Sequence, residues 1–382
     1  MKHNQFNPTF TFYKEPAVFN KFSEKSFLQY CLGGTLYMPG TKDILDKILN
    51  RQLKNLTSMV MCFEDAIKAD DVAQAEQNVL GHLSSLHYAI KTNNLSYDEL
   101  PLIFLRVRNT DQFRKFAKQL EKKHAQVLSG FVFPKFYSTN ALDYLSLLKE
   151  LNEKFEFRLY GMPILEGRSI AYRESRTNEL TLLKSQVDPF KEFILNVRVG
   201  GTDFSSIFGV RRGMNSSIYN ILTVRDCLAD ILNYFNRDTG DYTVSAPVWE
   251  YFLAYKLENI EHLLEKDIHQ SVLSRSKIIN PAIDGLLREI ILDKANGFVG
   301  KTIIHPSHLK FVNAMQAVTS EEYEDAAQIL NTPGGVIKSA KANKMNEINP
   351  HKSWAKKIVC RANAYGVVEN ETSYLKLMLG PE

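Results

Sequence analysis

Cysteine is scarce in this chain: four residues in 382, Cys31, Cys62, Cys227 and Cys360, lie far apart with no CxxC pair. That spacing argues against a disulfide framework or a cysteine zinc site and favours a reducing compartment. Long hydrophobic runs are missing as well. Nothing approaches the ~20 apolar residues of a bilayer span. The opening MKHNQFNPTFTFYKEPAVFNKF alternates aromatic and polar residues, unlike the apolar centre of a signal peptide. A cytoplasmic protein without membrane association is expected. An excess of one charge is also lacking: 47 Lys and Arg face 43 Asp and Glu, a net +4 spread along the chain. Without a basic stripe interleaved with aromatics, nucleic acid is not an expected partner. No GxGxxG follows the first strand-like run, and no HExxH occurs, which removes the common dinucleotide and zinc-protease signals.

What is present is a rhythm. Short apolar or β-branched runs recur at residues 35–38, 59–63, 102–107, 130–133, 158–164, 195–199, 242–246 and 302–304. Between them lie segments of helical period such as DILDKILNRQLKNL, DVAQAEQNVLGHLSSLHYAI, TDQFRKFAKQLEKKHAQVL and TNALDYLSLLKELNEKF. Eight strands, each followed by a helix, are the count of a closed parallel (β/α)₈ TIM barrel, an α/β fold. Residues 168–192 and 248–297 lengthen the connections after the fifth and seventh strands, the second with two helices around SRSKIINP. Residues 1–318 thus read as the barrel with an N-terminal extension. Residues 319–382 read as a C-terminal helical extension packing on the barrel or on a neighbouring subunit. In it TSEEYEDAAQIL and HKSWAKKIVCRANAYG are helices joined by the loop TPGGVIKSAKANKMNEINP.

Reactive groups in a parallel barrel sit at the C-terminal strand ends. Those places hold Pro39-Gly40, Glu64-Asp65, Arg106 with Arg108, Pro134-Lys135, Glu166, Asp203, Pro247 and His305-Pro306. So much charge on one rim is hard to explain by packing, and an enzyme is expected. Arg106 and Arg108, two apart in a strand, share a face and could clamp a carboxylate or phosphate; alternatively one of them, Arg108 or Arg106, pairs with Glu64 or Asp65. Glu166 and Asp203, beside glycines on neighbouring strands, suit a hard cation held by few ligands and several waters. They could instead be surface acids paired with Arg211 and Arg212. His305 and His308 form HPSH, a ligand pair or a device that orders the rim. Trp249 and Tyr251 line a pocket or join the core.

In order, these segments resemble the citrate lyase β-subunit-like group of the HpcH/HpaI aldolase family, from about residue 35 to residue 365. LYMPG at 36–40 is similar to the family's opening strand, and FEDAIKADDVAQAEQNV to its acidic segment and helix. FLRVR resembles the strand with the substrate-binding arginine, and GFVFPK the strand ending in Pro-Lys. PILEGR and VGGTDFSSIFGVRR resemble the segments that supply a metal glutamate and a metal aspartate. GFVGKTIIHPSHLKFVNAMQAVTSEEYEDAAQIL is the most specific match.

The resemblance implies a metal-dependent carbon–carbon lyase or aldolase working through a metal-stabilised enolate of a small oxo- or hydroxy-acid, CoA-linked and phosphorylated forms included. It implies Mg²⁺ or Mn²⁺ on Glu166 and Asp203, and a homo-oligomer built on a trimer. Arg106 becomes the carboxylate grip, and Glu64, Asp65 and Lys135 acid–base or supporting groups; Gly201, Thr202, Pro247 and His305, by their place at the strand ends, are expected beside the substrate. Three departures stand out. Arg106-Val107-Arg108 replaces the family's Arg-x-Asn, so Arg108 is expected to bring an extra positive charge into the pocket. EGRS replaces the commoner ETARG. Glu347 stands near the place of an aspartate that reaches a neighbouring subunit's site. The pattern resembles a divergent branch associated with tellurium-resistance gene clusters. Acyl thioester hydrolysis, enolpyruvate-type chemistry and a non-catalytic barrel subunit are the alternatives.

Overall fold

The computed structural model describes residues 1–382 except Phe6, Lys54, 253–270, 272–277, Ala340, Ala342 and 380–382. Eight short strands carry the apolar runs: β1 (Gly34–Pro39), β2 (Ser58–Cys62), β3 (Leu102–Arg106), β4 (Leu128–Phe133), β5 (Tyr160–Leu165), β6 (Val197–Val199), β7 (Val244–Ser245) and β8 (Lys301–Ile303). They pair in parallel in the order β7-β6-β5-β4-β3-β2-β1-β8. The two ends of that order meet. Ala246 bridges Lys301, Val299 N donates to Val244 O at 2.8 Å, and Thr302 N donates to Ala246 O at 3.1 Å. The sheet is therefore a closed barrel, and closure removes the unpaired edge strands that an open sheet would leave. Burial on both faces explains why most of these strands read as continuous apolar runs rather than alternating ones.

The helices after successive strands are α1 (Leu45–Leu49), α2 (Val72–Lys91), α3 (Thr110–Gln119), α4 (Ala141–Phe155), α5 (Arg173–Val187), the pair α6 (Gly201–Ile207) and α7 (Leu222–Phe235), α8 (Pro281–Ala295) and α9 (Leu309–Met315). Two expected helices are shorter than their periodicity implies. DILDKILNRQLKNL yields only α1, because Arg51 takes φ 53° just beyond it. TDQFRKFAKQLEKKHAQVL breaks at Leu120, whose extended backbone separates α3 from Lys122–Val127. Of the long connection at 248–297, the first expected helix and the start of SRSKIINP lie outside the described residues. The second is α8, whose first turn is capped by Asn280 Oδ1 accepting from Ala282 N and Ile283 N.

Beyond β8, α10 (Ser320–Asn331) opens with a reciprocal cap between Thr319 and Glu322, and α11 (Ile348–Tyr365) follows. The segment between them is not a plain loop: Val336–Lys338 and Met345–Glu347 form an antiparallel hairpin. A small core around Ile329, Ile348, Ala355 and Val367 unites these elements. Tyr365, Val368, Tyr374 and Leu377 then return to the main core. Among the described residues no helix is long and apolar enough to cross a membrane.

Candidate active site at the strand ends

Glu64 and Asp65 follow β2, Arg106 ends β3, Lys135 follows β4, Glu166 follows β5, and Asp203 lies in the first turn of α6 after β6. Parallel register carries them to one rim: Cys62 pairs with Arg106, and Arg106 with Val132. The side chains then meet. Arg106 Nη2 lies 2.6 Å from Glu64 Oε2, 3.4 Å from Asp65 Oδ2 and 3.6 Å from Glu166 Oε1. Lys135 Nζ lies 2.6 Å from Glu64 Oε1 and 3.6 Å from Asp65 Oδ1. Lys135 takes φ 47°, and its backbone N–H donates to Glu166 Oε1 at 2.7 Å. The strained residue thus fixes the rotamer of the acid on the next strand.

Glu166 and Asp203 converge above Gly200. A Cβ on Gly200 would stand 2.3 Å from Glu166 Cβ, 2.6 Å from Glu166 Oε2 and 3.0 Å from Asp203 Oδ2. Both carboxylate oxygens therefore reach one small volume, which stays open only because residue 200 is glycine. Arg211 and Arg212 do not neutralise them. Arg211 faces Glu250 at 4.0 Å, and Arg212 holds Glu289 at 2.7 Å. Among the described residues no three His, Cys, Asp or Glu side chains gather as a metal cluster. A cation here would take two carboxylates and complete its shell with water and substrate oxygens, the habit of Mg²⁺.

The electrostatics follow from burial. Glu166 is pushed up to about 8, first by burial and then by Asp203, with Arg106 opposing. Burial also raises Glu64, although Arg106 and Lys135 pull it down. Burial acts in the same direction on Asp65, but the hydrogen bond with Glu64 and the charges of Arg106 and Lys135 outweigh it and hold Asp65 below its usual value. Desolvation works against the Arg106 charge, and Glu166 and Glu64 more than restore it.

Asp65, Arg106, Glu166 and Asp203 border a cavity of about 360 Å³ whose lining also includes Tyr37, Arg198 and Thr302, and Glu64 and Lys135, outside that lining, join it through their ion pairs to Arg106 and Asp65. Gly201 and Thr202 line it as expected, and Thr202 Oγ1 donates to Glu250 at 3.2 Å. Four expected members are elsewhere. Arg108 lies beyond the end of β3, so strand alternation no longer aims it; its Nη1 donates to Phe63 O at 3.3 Å, and it brings no charge into the cavity. Pro247 is buried behind the wall, against Gly201. His305 is not in the lining: it stacks on Phe252 at 4.2 Å and accepts from Ser307 N, ordering the rim. Glu347 caps α11 and is exposed, so a single chain does not bring it to the cavity. Trp249 is fully buried beneath Arg212 and belongs to the core.

One residue absent from the sequence reading is prominent. Arg198, the middle of β6, is 1% exposed at the cavity floor. Its Nη2 donates to Thr302 Oγ1 at 2.7 Å and its Nη1 to Thr35 Oγ1 at 3.4 Å, and the guanidinium lies 5.3 Å from the Tyr37 ring centre. Its Nε has no partner among the described residues. The signal was an arginine between two valines in a strand, where period-two alternation turns it inward between apolar neighbours.

Residues 26–367 match the model of a carbon–carbon bond lyase family of the TIM-barrel fold. The chain belongs to that family. As a family member it is a carbon–carbon lyase, and the expected barrel enzyme is borne out at that level. No curated protein matches the chain. Among solved structures it is similar to the CitE protein of Mycobacterium tuberculosis in complex with magnesium, acetoacetate and coenzyme A. Identity is 14%, coverage 87% of this chain and 99% of that one, and the TM-score 0.50. It is also similar to a Haloferax volcanii malate synthase in a magnesium and glyoxylate complex, at 11% identity, 72% of each chain and TM-score 0.48. At such identities the likeness concerns the fold.

Proposed function

We propose that this lyase depends on Mg²⁺ or Mn²⁺ held by Glu166 and Asp203, and that it cleaves or forms a carbon–carbon bond in a small oxo- or hydroxy-acid. The observation that carries the reading is the pair of carboxylate oxygens converging on the space that Gly200 leaves open. The surrounding charge supports it. Among the described residues Glu64, Asp65, Glu166 and Asp203 outnumber the cations in contact with them, Arg106 and Lys135, and a divalent ion would relieve that excess. When bound, such an ion supplies Lewis-acid polarisation of a substrate carbonyl, worth several kcal/mol in the transition state.

The chain's own residues do the rest. Arg106, braced by Glu64 and Glu166, orients the substrate carboxylate and so aligns the bond that breaks. Asp65 is the more exposed acid of the Glu64–Asp65 pair, its side chain 57% exposed against 5%. Held ionised, it accepts a proton at its carboxylate, and Lys135 steadies it. Arg198 at the floor adds a guanidinium that no carboxylate neutralises, so the substrate carries a second anionic group. The 360 Å³ cavity suits a compact acid. The reading includes a homo-oligomer in which Glu347 serves a neighbouring subunit; normal activity of Glu347→Gln would remove that part.

The test combines metal and product. Mg²⁺ or Mn²⁺ at ~100 times its dissociation constant should stabilise the wild type by about 2.7 kcal/mol, read as a higher Tm. Asp203→Ala should show no such shift, and an undiminished one refutes the metal assignment. With metal, candidate oxo-acids and their thioesters should release two carbon skeletons; release of thiol alone would instead identify a thioesterase.

A further inference from the structure

A second cavity lies apart from the catalytic one. About 540 Å³ opens at the opposite end of the barrel, where Gly297 and Val299 lead into β8, between the last turn of α8 and one face of α11. Two of its lining cations are withdrawn from solvent: Arg361 from α11 is 8% exposed, and Lys294 from α8 is half-buried. Lys294 Nζ donates to Ala317 O at 3.0 Å and reaches the Tyr374 hydroxyl at 3.5 Å. Arg361 Nη2 donates to Phe298 O at 3.1 Å, while its Nε has no partner among the described residues. Neither cation has a carboxylate at ion-pair distance among those residues. The nearby Glu322 is committed to capping α10, accepting from Thr319 N at 3.0 Å and Thr319 Oγ1 at 3.2 Å. Glu371 is exposed, and Lys357 is turned to Asn236.

Burial works against the Glu322 charge, but Lys294 and Arg361 outweigh it and hold that carboxylate below its usual range, so among the described residues one buried acid is shared between two cations, and a single further anion would offset the positive charge that remains. Burial already drives Lys294 down to about 8, with Glu322 opposing and Arg361 assisting. The space is far larger than a bare oxyanion needs, and Ile291, Ile358 and Trp354 supply apolar walls. Three cations against two carboxylates in the lining leave room for one negative charge.

We propose that this seam is a second ligand site, remote from the chemistry, which binds a small organic monocarboxylate: its anion between Lys294 and Arg361, its apolar body against Ile291, Ile358 and Trp354. Such a ligand touches both the barrel and the C-terminal extension and fastens one to the other.

Trp354 stands at the mouth of this cavity, and the only other tryptophan, Trp249, is buried away from it, so fluorescence reports the site directly. The full chain is titrated in chelator with benzoate, hexanoate and inorganic phosphate, following fluorescence and Tm. Benzoate or hexanoate should saturate the signal at millimolar concentration or below, with equal affinity in wild type and Asp203→Ala. Arg361→Gln should weaken binding at least tenfold, and Trp354→Phe should abolish the fluorescence change while the Tm shift persists. The proposal is overturned if no carboxylate binds, if phosphate binds as tightly as benzoate, or if Asp203→Ala removes the response. Should Arg361→Gln fail to fold, Lys294→Met takes its place, and unchanged affinity there overturns the proposal equally.

Discussion

Two clusters of charge sit a few strands apart in this barrel, and they are built on opposite principles. Behind β7 and β8, Arg212 and Lys301 face Glu289 and Asp293. Arg212 holds Glu289 at 2.7 Å, Lys301 holds Glu289 at 2.9 Å and Asp293 at 2.8 Å, and the Tyr219 hydroxyl donates to Asp293 at 2.6 Å. All four are buried, and their charges cancel. At the rim, among the described residues, four carboxylates outnumber Arg106 and Lys135, the cations in contact with them, while Arg198 on the cavity floor pairs with none of them. A saturated buried cluster has nothing left to offer a ligand, so its role is to hold α8 against the barrel. An unsaturated one is costly alone and becomes favourable with a cation in place. Charge balance, rather than charge density, separates structure from function here.

The largest effect should come from unbalancing the neutral cluster. Lys301→Met strands Glu289 and Asp293 without their shared cation, and the stability loss should be about 3–5 kcal/mol, read by urea unfolding. The rim should respond in the reverse sense. Asp203→Ala relieves repulsion with Glu166, so Tm without metal should hold or rise, while lyase turnover falls ~1000-fold through loss of several kcal/mol of carbonyl polarisation. If Asp203→Ala loses stability as Lys301→Met does, the contrast between the clusters fails.

A third effect concerns pH at the edge of the neutral cluster. Burial holds His308 neutral in the folded chain, down to about 4 from 6.5, with His305 and Lys301 adding to the shift. Between those values the unfolded chain binds the extra proton, so stability rises with pH there and is lost as pH falls below 6.5. The stability difference between wild type and His308→Leu should be flat above pH 7 and shrink by about 2 kcal/mol at pH 5. Asp293, raised to about 6 mainly by burial, works in the opposite direction over an overlapping range, and this is why the difference between the two proteins is the measurement. A pH-independent difference would mean that His308 titrates in the folded chain as it does in the unfolded one.

Much of this was legible in the chain. Eight apolar runs mark eight strands, and the residues just past them mark the rim, because parallel pairing forces strand ends onto one face. Glu64, Arg106, Lys135, Glu166 and Asp203 were found that way. Arg108 was misplaced by carrying strand alternation two residues past the end of β3, into a turn where it no longer applies. Pro247 and His305 were placed by strand-end position alone, which does not tell a lining residue from one behind the wall. Arg198 was missed because attention went to strand ends, while β6 carries its arginine in mid-strand. The pairing of α8 with α11 around Lys294 and Arg361 joins positions far apart in sequence, and no local pattern announces it.

Arg198 supplies the smallest and sharpest prediction, since no acid among the described residues lies at ion-pair distance from it. Arg106 already has three carboxylates within 4 Å, so a substrate anion must share it with them, whereas Arg198 touches only hydroxyls and a ring. Arg198→Met removes a buried charge that no acid needs, so stability should hold or improve. Affinity should change selectively. A four-carbon oxo-diacid should bind about tenfold more weakly to Arg198→Met, roughly 1.4 kcal/mol, while pyruvate is unaffected and the Mg²⁺ shift in Tm is retained. Equal weakening of both acids would show Arg198 acting on the single carboxylate that Arg106 holds. Loss of the metal shift would make it a support for the rim instead of a reader of the substrate's far end.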